Sequence, residues 1–326
     1  MKEISFYKYV SDKKINIGEI SLNKNKEIKF QFITLKKIYL NPKLWTVITK
    51  DFYIFNNFER YLSAYKHHKE ILLREKEIKK KSQTISLIKG NFFLLGAEEN
   101  YWHFLIDFVP RLICLKYLSE NDIKVVISDK VPLKFLNFIK KICSLIGIKN
   151  IIYHKLSQDN LIYFFDKLTF TSRPNIEFSS IFFHKTLNTL IKKQKCRNLY
   201  VKRGATKRRK VLNENKLIES LKSYKYEVID CFELDIEEQI KIFSKAKNII
   251  MPSGASMANL LFVPDKINVI EIRSNLDGEF SKKINLNNRF NLYIFDKTKK
   301  VGLELRKDII VDIQSLKKLL EEKKIF

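Results

Sequence analysis

The sequence predicts an α/β protein with two Rossmann-like domains facing across a cleft, preceded by a β-rich segment. Three observations carry this. From Asn100 the chain alternates apolar runs of strand length with amphipathic runs of helix length. A second series of the same kind begins near residue 195. Before residue 95, apolar and polar residues instead alternate at a period of two, as in half-buried strands. The boundaries expected are 1–194 (β-rich 1–95, α/β 96–194) and 195–326. One larger doubly wound domain is the other arrangement the alternation permits.

In the first segment, "KFQFITL" and "SLIKGNFFLL" read as strands, and "YLSAYKHHKEILLREKEIKKK" as helix or linker. Its adjacent His67 and His68 lie in a charged stretch, more in keeping with a solvated face than with a metal site. Then come a helix "NYWHFLIDFVPRLICLKYL", a strand "IKVVIS", a helix "PLKFLNFIKKICSLIG", strands "NIIYH" and "DKLTFTS", and a helix around 178–194. The second series runs through "NLYVKR", a helix from near Asn213, "YEVID", the helix "DIEEQIKIFSKA", "KNIIM", a short helix "SMANLLF" and "INVIEI". The last element, "DIQSLKKLLEEKKIF", is an amphipathic helix expected to pack back across the domain boundary.

A 45% apolar fraction with 25 Phe and 14 Tyr excludes a disordered chain. No run approaches the ~18–20 uncharged apolar residues of a membrane span. The start "MKEISFYKYVSDKK" lacks a signal-peptide core, so a cytosolic protein is expected. Cys114, Cys143, Cys196 and Cys231 are widely spread, which points to buried reduced thiols rather than zinc or disulfides. The formal net charge is +26, from 62 Lys and Arg against 36 Asp and Glu. Such a field attracts anions: nucleic acid, acidic lipid or sugar nucleotides. An AT-rich coding sequence would also enrich Lys, so charge alone leaves the partner open.

Three motifs carry chemistry. The stretch "NIIMPSGASMANLLFVP" (248–264) holds no charge and turns from a buried strand into a helix at "PSGAS". Open α/β sheets bind ligands beyond the carboxyl ends of their strands, where this turn falls. Gly254 and Ala255 let backbone approach a ligand, Ser253 and Ser256 add hydroxyls, and helix-start N–H groups favour an anion. In "NLYVKRGATKRRKVLNENKLI", Lys202, Arg203, Lys207, Arg208, Arg209 and Lys210 follow a strand of the same sheet. That loop could neutralise a diphosphate, Arg giving a forked grip. There is no D-x-D triplet, so no metal is expected and fixed cations would stabilise a leaving phosphate.

In "NYWHFLIDFVPRL", His103, Asp107 and Arg111 stand at i, i+4 and i+8 as a polar stripe on an apolar rod, with Asn100 as N-cap. His103 as base with Asp107 orienting it suits removal of a proton from a hydroxyl, and Arg111 would hold Asp107 ionised. The reverse assignment, Asp107 as base, remains open.

These segments, with "EEQIKIFSKAKNIIMPSGASMANLLF" and "VIEI" at 269–272, resemble glycosyltransferase family 61, over roughly residues 90–275. Its bacterial members include capsule and lipopolysaccharide enzymes. The resemblance implies a GT-B architecture, inversion at the anomeric carbon and a nucleotide-sugar donor held mainly by the C-terminal domain. Ser253 stands where many relatives carry His before Gly-Ala, which removes one imidazole contact. The expectation is therefore an acceptor-side domain before about residue 195 and a donor domain after it. Arg203, with Arg208 or Arg209, would grip the diphosphate beside Ser253–Ser256. Asn259 and Glu271 are candidate contacts to nucleotide or sugar, and Gln239 a structural residue. A glycan or lipid-linked glycan acceptor could bring peripheral contact with anionic membrane. A basic nucleic-acid-binding protein is the rival, which would leave the His-Asp-Arg stripe without a task.

Overall fold

The protein is described by a computed structural model covering residues 2–4, 13, 17–22, 29–43, 45–55, 74–97, 99–118, 122–188, 194–204, 209–273, 280–301 and 308–326. His67, His68, Lys207 and Arg208 lie outside the described residues. The chain divides into two compact units, Met1–Phe182 and Phe183–Phe326.

The first unit is built on a nine-stranded mixed sheet. Its strands are β1 (Lys2–Ile4), β2 (Gly18–Ser21), β3 (Lys29–Asn41), β4 (Thr46–Ile48), β5 (Tyr53–Phe55), β6 (Leu87–Gly96), β7 (Lys124–Ser128), β8 (Ile152–Leu156) and β9 (Tyr163–Thr171). The order is β1-β5-β4-β3-β9-β6-β7-β8, with β2 beside β3. Strands β9, β6, β7 and β8 run parallel, while β3 joins β9 antiparallel. The β-rich start is thus the flank of the α/β sheet rather than a separate layer. Phe92–Leu95 of β6 are all buried, as expected for an inner strand covered on both faces. The charged run after Arg74 forms the helix Glu75–Ser82, which buries only Ile78 and otherwise presents a solvated face.

The second unit holds a five-stranded, all-parallel sheet: β10 (Arg197–Val201), β11 (Tyr226–Ile229), β12 (Ala246–Pro252), β13 (Asn268–Ile272) and β14 (Asn291–Phe295), in the order β11-β10-β12-β13-β14. Its inner strands are mostly apolar, as in a parallel sheet buried on both faces; Ile249, Ile250, Met251, Val269, Ile270 and Ile272 are all fully buried. The helix Ile236–Phe243 starts on a capping box, in which Asp235 and Glu238 each satisfy the other's backbone N–H. A two-stranded antiparallel sheet, β15 (Thr298–Val301) and β16 (Asp308–Val311), completes the unit.

The C-terminal helix Ile313–Lys323 buries apolar residues within its own unit. Leu316, Leu320 and the following Ile325 join Tyr200, Leu217, Leu221 and Ile250 in the core of their own unit. Each such side chain contributes about 1.5–3 kcal/mol by burial, and truncating Leu320 to Ala would cost about 2–5 kcal/mol.

Two ends of this parallel sheet differ in chemistry. At the carboxyl ends of the adjacent strands β10, β12 and β13 stand Arg203, Ser253–Gly254 and Arg273. At the amino ends, four asparagines in register form a ladder. Asn291 donates to Asn268 (3.0 Å), Asn268 to Asn248 (2.8 Å) and Asn248 to Asn198 (2.9 Å). Asn198 in turn donates to the backbone carbonyl of Tyr224 (3.3 Å).

All four cysteines are free. Cys114 and Cys143 are buried as expected, whereas Cys196 is exposed and Cys231 half-buried. Burial pushes the Cys143 thiol up to about 12, which makes it inert.

Candidate active site

The segment read as one helix is three helices in succession. Tyr101–His103 is α-helical, Phe104–Phe108 takes π geometry and Val109–Tyr117 is 3-10. The start is as expected: Asn100 caps it, its side-chain oxygen accepting the His103 N–H at 3.3 Å. The change of pitch has a local cause. An α-helix would pair the Ile106 carbonyl with the N–H of residue 110, and Pro110 has none. Ser179, fully buried, donates its hydroxyl to that carbonyl at 2.8 Å instead.

This geometry brings His103 and Asp107 of the stripe together. His103 Nδ1 lies 2.7 Å from Asp107 Oδ2. Asp107 is fully buried, and its other oxygen accepts from Arg173 Nε at 3.0 Å. Arg173, which no sequence motif marks, thus supplies a guanidinium to this carboxylate. The guanidinium of Arg111 lies over the Phe108 ring, 5.1 Å from the centroid. Burial pushes the Asp107 pKa up, but the hydrogen bond from His103 and the charge of Arg173 outweigh it and hold the carboxyl below its ordinary value. His103 is 28% exposed at its side chain, so its ring reaches solvent while its partner does not. The buried carboxylate, bonded on its other oxygen to Arg173, fixes the orientation of the imidazole at the surface.

In the second unit, the bend after β12 is built around Arg203. Its Nη1 donates to the Ser253 carbonyl at 2.7 Å. A Cβ on Gly254 would lie 1.6 Å from that same Nη1, so only glycine lets the guanidinium rest on the bend. The backbone N–H of Arg203 is bonded to Glu214 Oε1 (3.1 Å), which also accepts from the buried Tyr200 hydroxyl (2.8 Å). Ala255 and Ser256, at the start of a 3-10 helix (Ala255–Leu261), are half-buried and open to solvent.

The other expected ligand contacts turn inward. Ser253 is buried and gives its hydroxyl to Glu271 Oε1. Glu271 is itself fully buried; its second oxygen accepts from Ser281 and, at 2.9 Å, from Arg273 Nη2. A carboxyl group inside a parallel sheet must be bonded this way, and the sequence context of "VIEI" carries no hint of it. Asn259 is also fully buried and donates to Gln239 Oε1 at 2.8 Å, while Gln239 donates to the Cys231 carbonyl at 2.9 Å. Glu271, Asn259 and Gln239 thus all take part in the bonding that holds the bend and its helix. Arg209 is half-buried with φ +59°.

Arg173 and Arg273 were not singled out in the sequence. Arg173 lies 66 residues from its partner, so no local pattern marks it. Arg273 had one signal, its place directly after a buried strand beside the bend.

A sequence model described as Glycosyltransferase 61 matches residues 101–270, over half of the chain. The chain belongs to glycosyltransferase family 61. The match spans both the His103–Asp107 pair and the Arg203–Gly254 bend of this family 61 glycosyltransferase. No curated protein matches it. Among solved structures, that of the E. coli heptosyltransferase WaaC with ADP is similar at 9% identity and a TM-score of 0.33, covering 72% of this chain and 97% of that one.

Proposed function

We propose that this enzyme transfers a sugar, with inversion, from a nucleotide-sugar donor to a saccharide acceptor of a capsule, lipopolysaccharide or other surface glycan. The observation that carries the reading is the buried Asp107 bonded to both His103 and Arg173. A single-displacement transfer needs one base to take the acceptor hydroxyl's proton as that oxygen attacks the anomeric carbon, and His103 is built for it. The leaving nucleoside diphosphate needs positive charge. Arg203, held against Gly254 at the carboxyl ends of β10 and β12, supplies it, and Arg208 and Arg209 belong to the same loop. On this reading the first unit acts on the acceptor and the second on the donor, as in a GT-B enzyme, without a metal.

A lipid-linked acceptor would place the enzyme at the inner face of a membrane. The net charge of +26 favours peripheral contact with anionic lipid. Among the described residues, no helix is long and apolar enough to cross a membrane. Thermal-shift screening against a panel of nucleotide sugars tests the function directly, since a selective ligand stabilises the fold by mass action. Proton NMR of the product made with the selected donor then reads the anomeric configuration. Retention of configuration, or no stabilisation by any nucleotide sugar, would overturn the reading.

A further inference from the structure

One cavity in the first unit reaches the cap of the His103 turn. It has a volume of about 550 Å3 and is lined by Lys43, Glu99, Asn100, Ser128, Lys130 and Gln158. A second hollow of about 280 Å3 shares Lys43, Lys130 and Gln158 with it and adds Asn41, Arg74, Asp159 and Asn160, with the exposed Asp159 carboxylate 3.5 Å from Lys130 Nζ. The larger volume falls within the roughly 300–1,000 Å3 of small-molecule sites. Most such sites are apolar, yet these walls carry only amide, hydroxyl and charged side chains, which suits a ligand made of hydrogen-bonding groups. The position is the one parallel sheets use: Glu99 and Asn100 follow β6, Ser128 ends β7 and Lys130 follows it, and Gln158 follows β8. The walls are also fixed in advance. Ser128 Oγ accepts the Lys130 N–H at 3.1 Å, Asn41 Nδ2 donates to the Leu161 carbonyl at 2.8 Å, and Asn160 Nδ2 pairs with the Tyr163 hydroxyl.

Asn100 ties this cavity to the base. It lines the wall and, through its side-chain oxygen, caps the helix turn that carries His103. In the larger cavity two lysines face one glutamate. We infer that the cavity is the acceptor subsite, and that it takes an anionic saccharide, its hydroxyls on the amides and its carboxylate or phosphate on Lys43 and Lys130. The inference rests on the transferase reading above, and its test is kept separate from it.

The test is isothermal titration of the full chain with trigalacturonate, maltotriose and inorganic phosphate, and in parallel with nucleoside diphosphates. Trigalacturonate should bind at least ten-fold more tightly than maltotriose or phosphate. Lys130→Ala and Lys43→Ala should each weaken it five-fold or more and leave nucleotide affinity in place. Lys318→Ala, an exposed lysine in the other unit, is the control for overall charge and should change neither. Equal loss in Lys318→Ala, binding of phosphate as tight as of trigalacturonate, or insensitivity to both cavity lysines would overturn the subsite. Failure of every nucleoside diphosphate to bind would instead overturn the donor reading, whatever the saccharides do.

Discussion

His103 Nδ1 and Asp107 Oδ2 are 2.7 Å apart, and that one spacing assigns a proton. Asp107 is held ionised at neutral pH and a carboxylate can only accept, so Nδ1 must carry the hydrogen. In the neutral imidazole the lone pair then belongs to Nε2, which is the tautomer a base requires. Asp107 itself, with both oxygens engaged and its pKa lowered, makes a weak base.

His103→Ala should therefore cut turnover by about 100-fold or more, the usual scale for loss of a general base. Affinity for nucleoside diphosphate should hold, because Arg203 and Gly254 belong to the other unit. Asp107→Asn should also slow turnover, since its amide can present N–H groups to Nδ1 and favour the wrong tautomer. Turnover and binding measured side by side decide it: a nearly wild-type His103→Ala with an inactive Asp107→Asn would make Asp107 the base.

Arg203→Ala should weaken nucleoside diphosphate binding by about 1.5–3 kcal/mol, the range for a hydrogen bond to a charged group. Arg203→Lys should recover only part of this, because an ammonium cannot grip two oxygens as a fork. Titration of both variants checks it, and unchanged affinity in Arg203→Ala would move the phosphate site elsewhere.

Gly254→Ala gives the sharper result. Its new Cβ would collide with the tip of the Arg203 side chain and with no buried backbone. The guanidinium can swing away, so the melting temperature should stay within about 2 °C, a change of about 1 kcal/mol. Nucleotide affinity should nevertheless fall to the level of Arg203→Ala. A large drop in melting temperature with affinity intact would show the glycine serving the fold instead.

The buried aspartate also sets an acid limit. Its pKa is lower folded than unfolded, so its contribution to stability is complete above the unfolded value of ~3.9 and is lost as pH falls through the folded one. Denaturant midpoints at pH 6 and pH 3 should differ less in Asp107→Asn than in wild type. An equal difference in the two proteins would place the acid sensitivity in other carboxylates.

Transfer should survive excess EDTA, because arginines rather than a metal are assigned to the leaving phosphate. Complete loss with chelator, restored by manganese, would overturn that assignment.

Much of the fold could be read from the sequence because strand and helix periods are local properties. The bend after β12, the capping of His103 by Asn100 and the four-residue spacing of His103 and Asp107 all lie within a few residues of one another. What escaped was tertiary. Pro110 can be seen to disturb a helix, but only Ser179, arriving from another element, shows which carbonyl is rescued and why the pitch changes. The inward turn of Glu271 and Asn259 depends on Ser253, Ser281 and Gln239 reaching them first. A polar residue beside a binding loop looks the same in sequence whether it faces the ligand or holds the loop.

The asparagine ladder beneath the second sheet has a polarity, and polarity makes it vulnerable to chemical ageing. Every amide donates in the same direction, ending on the carbonyl of Tyr224, a backbone group that cannot turn over. Deamidation of Asn248 would set a carboxylate oxygen against the Asn198 oxygen. If Asn198 flipped to relieve that clash, its own oxygen would then meet the Tyr224 carbonyl. The damage would thus pass along the row to the one member unable to respond, and a single lost nitrogen would be felt from β12 through to the end of the helix before β11.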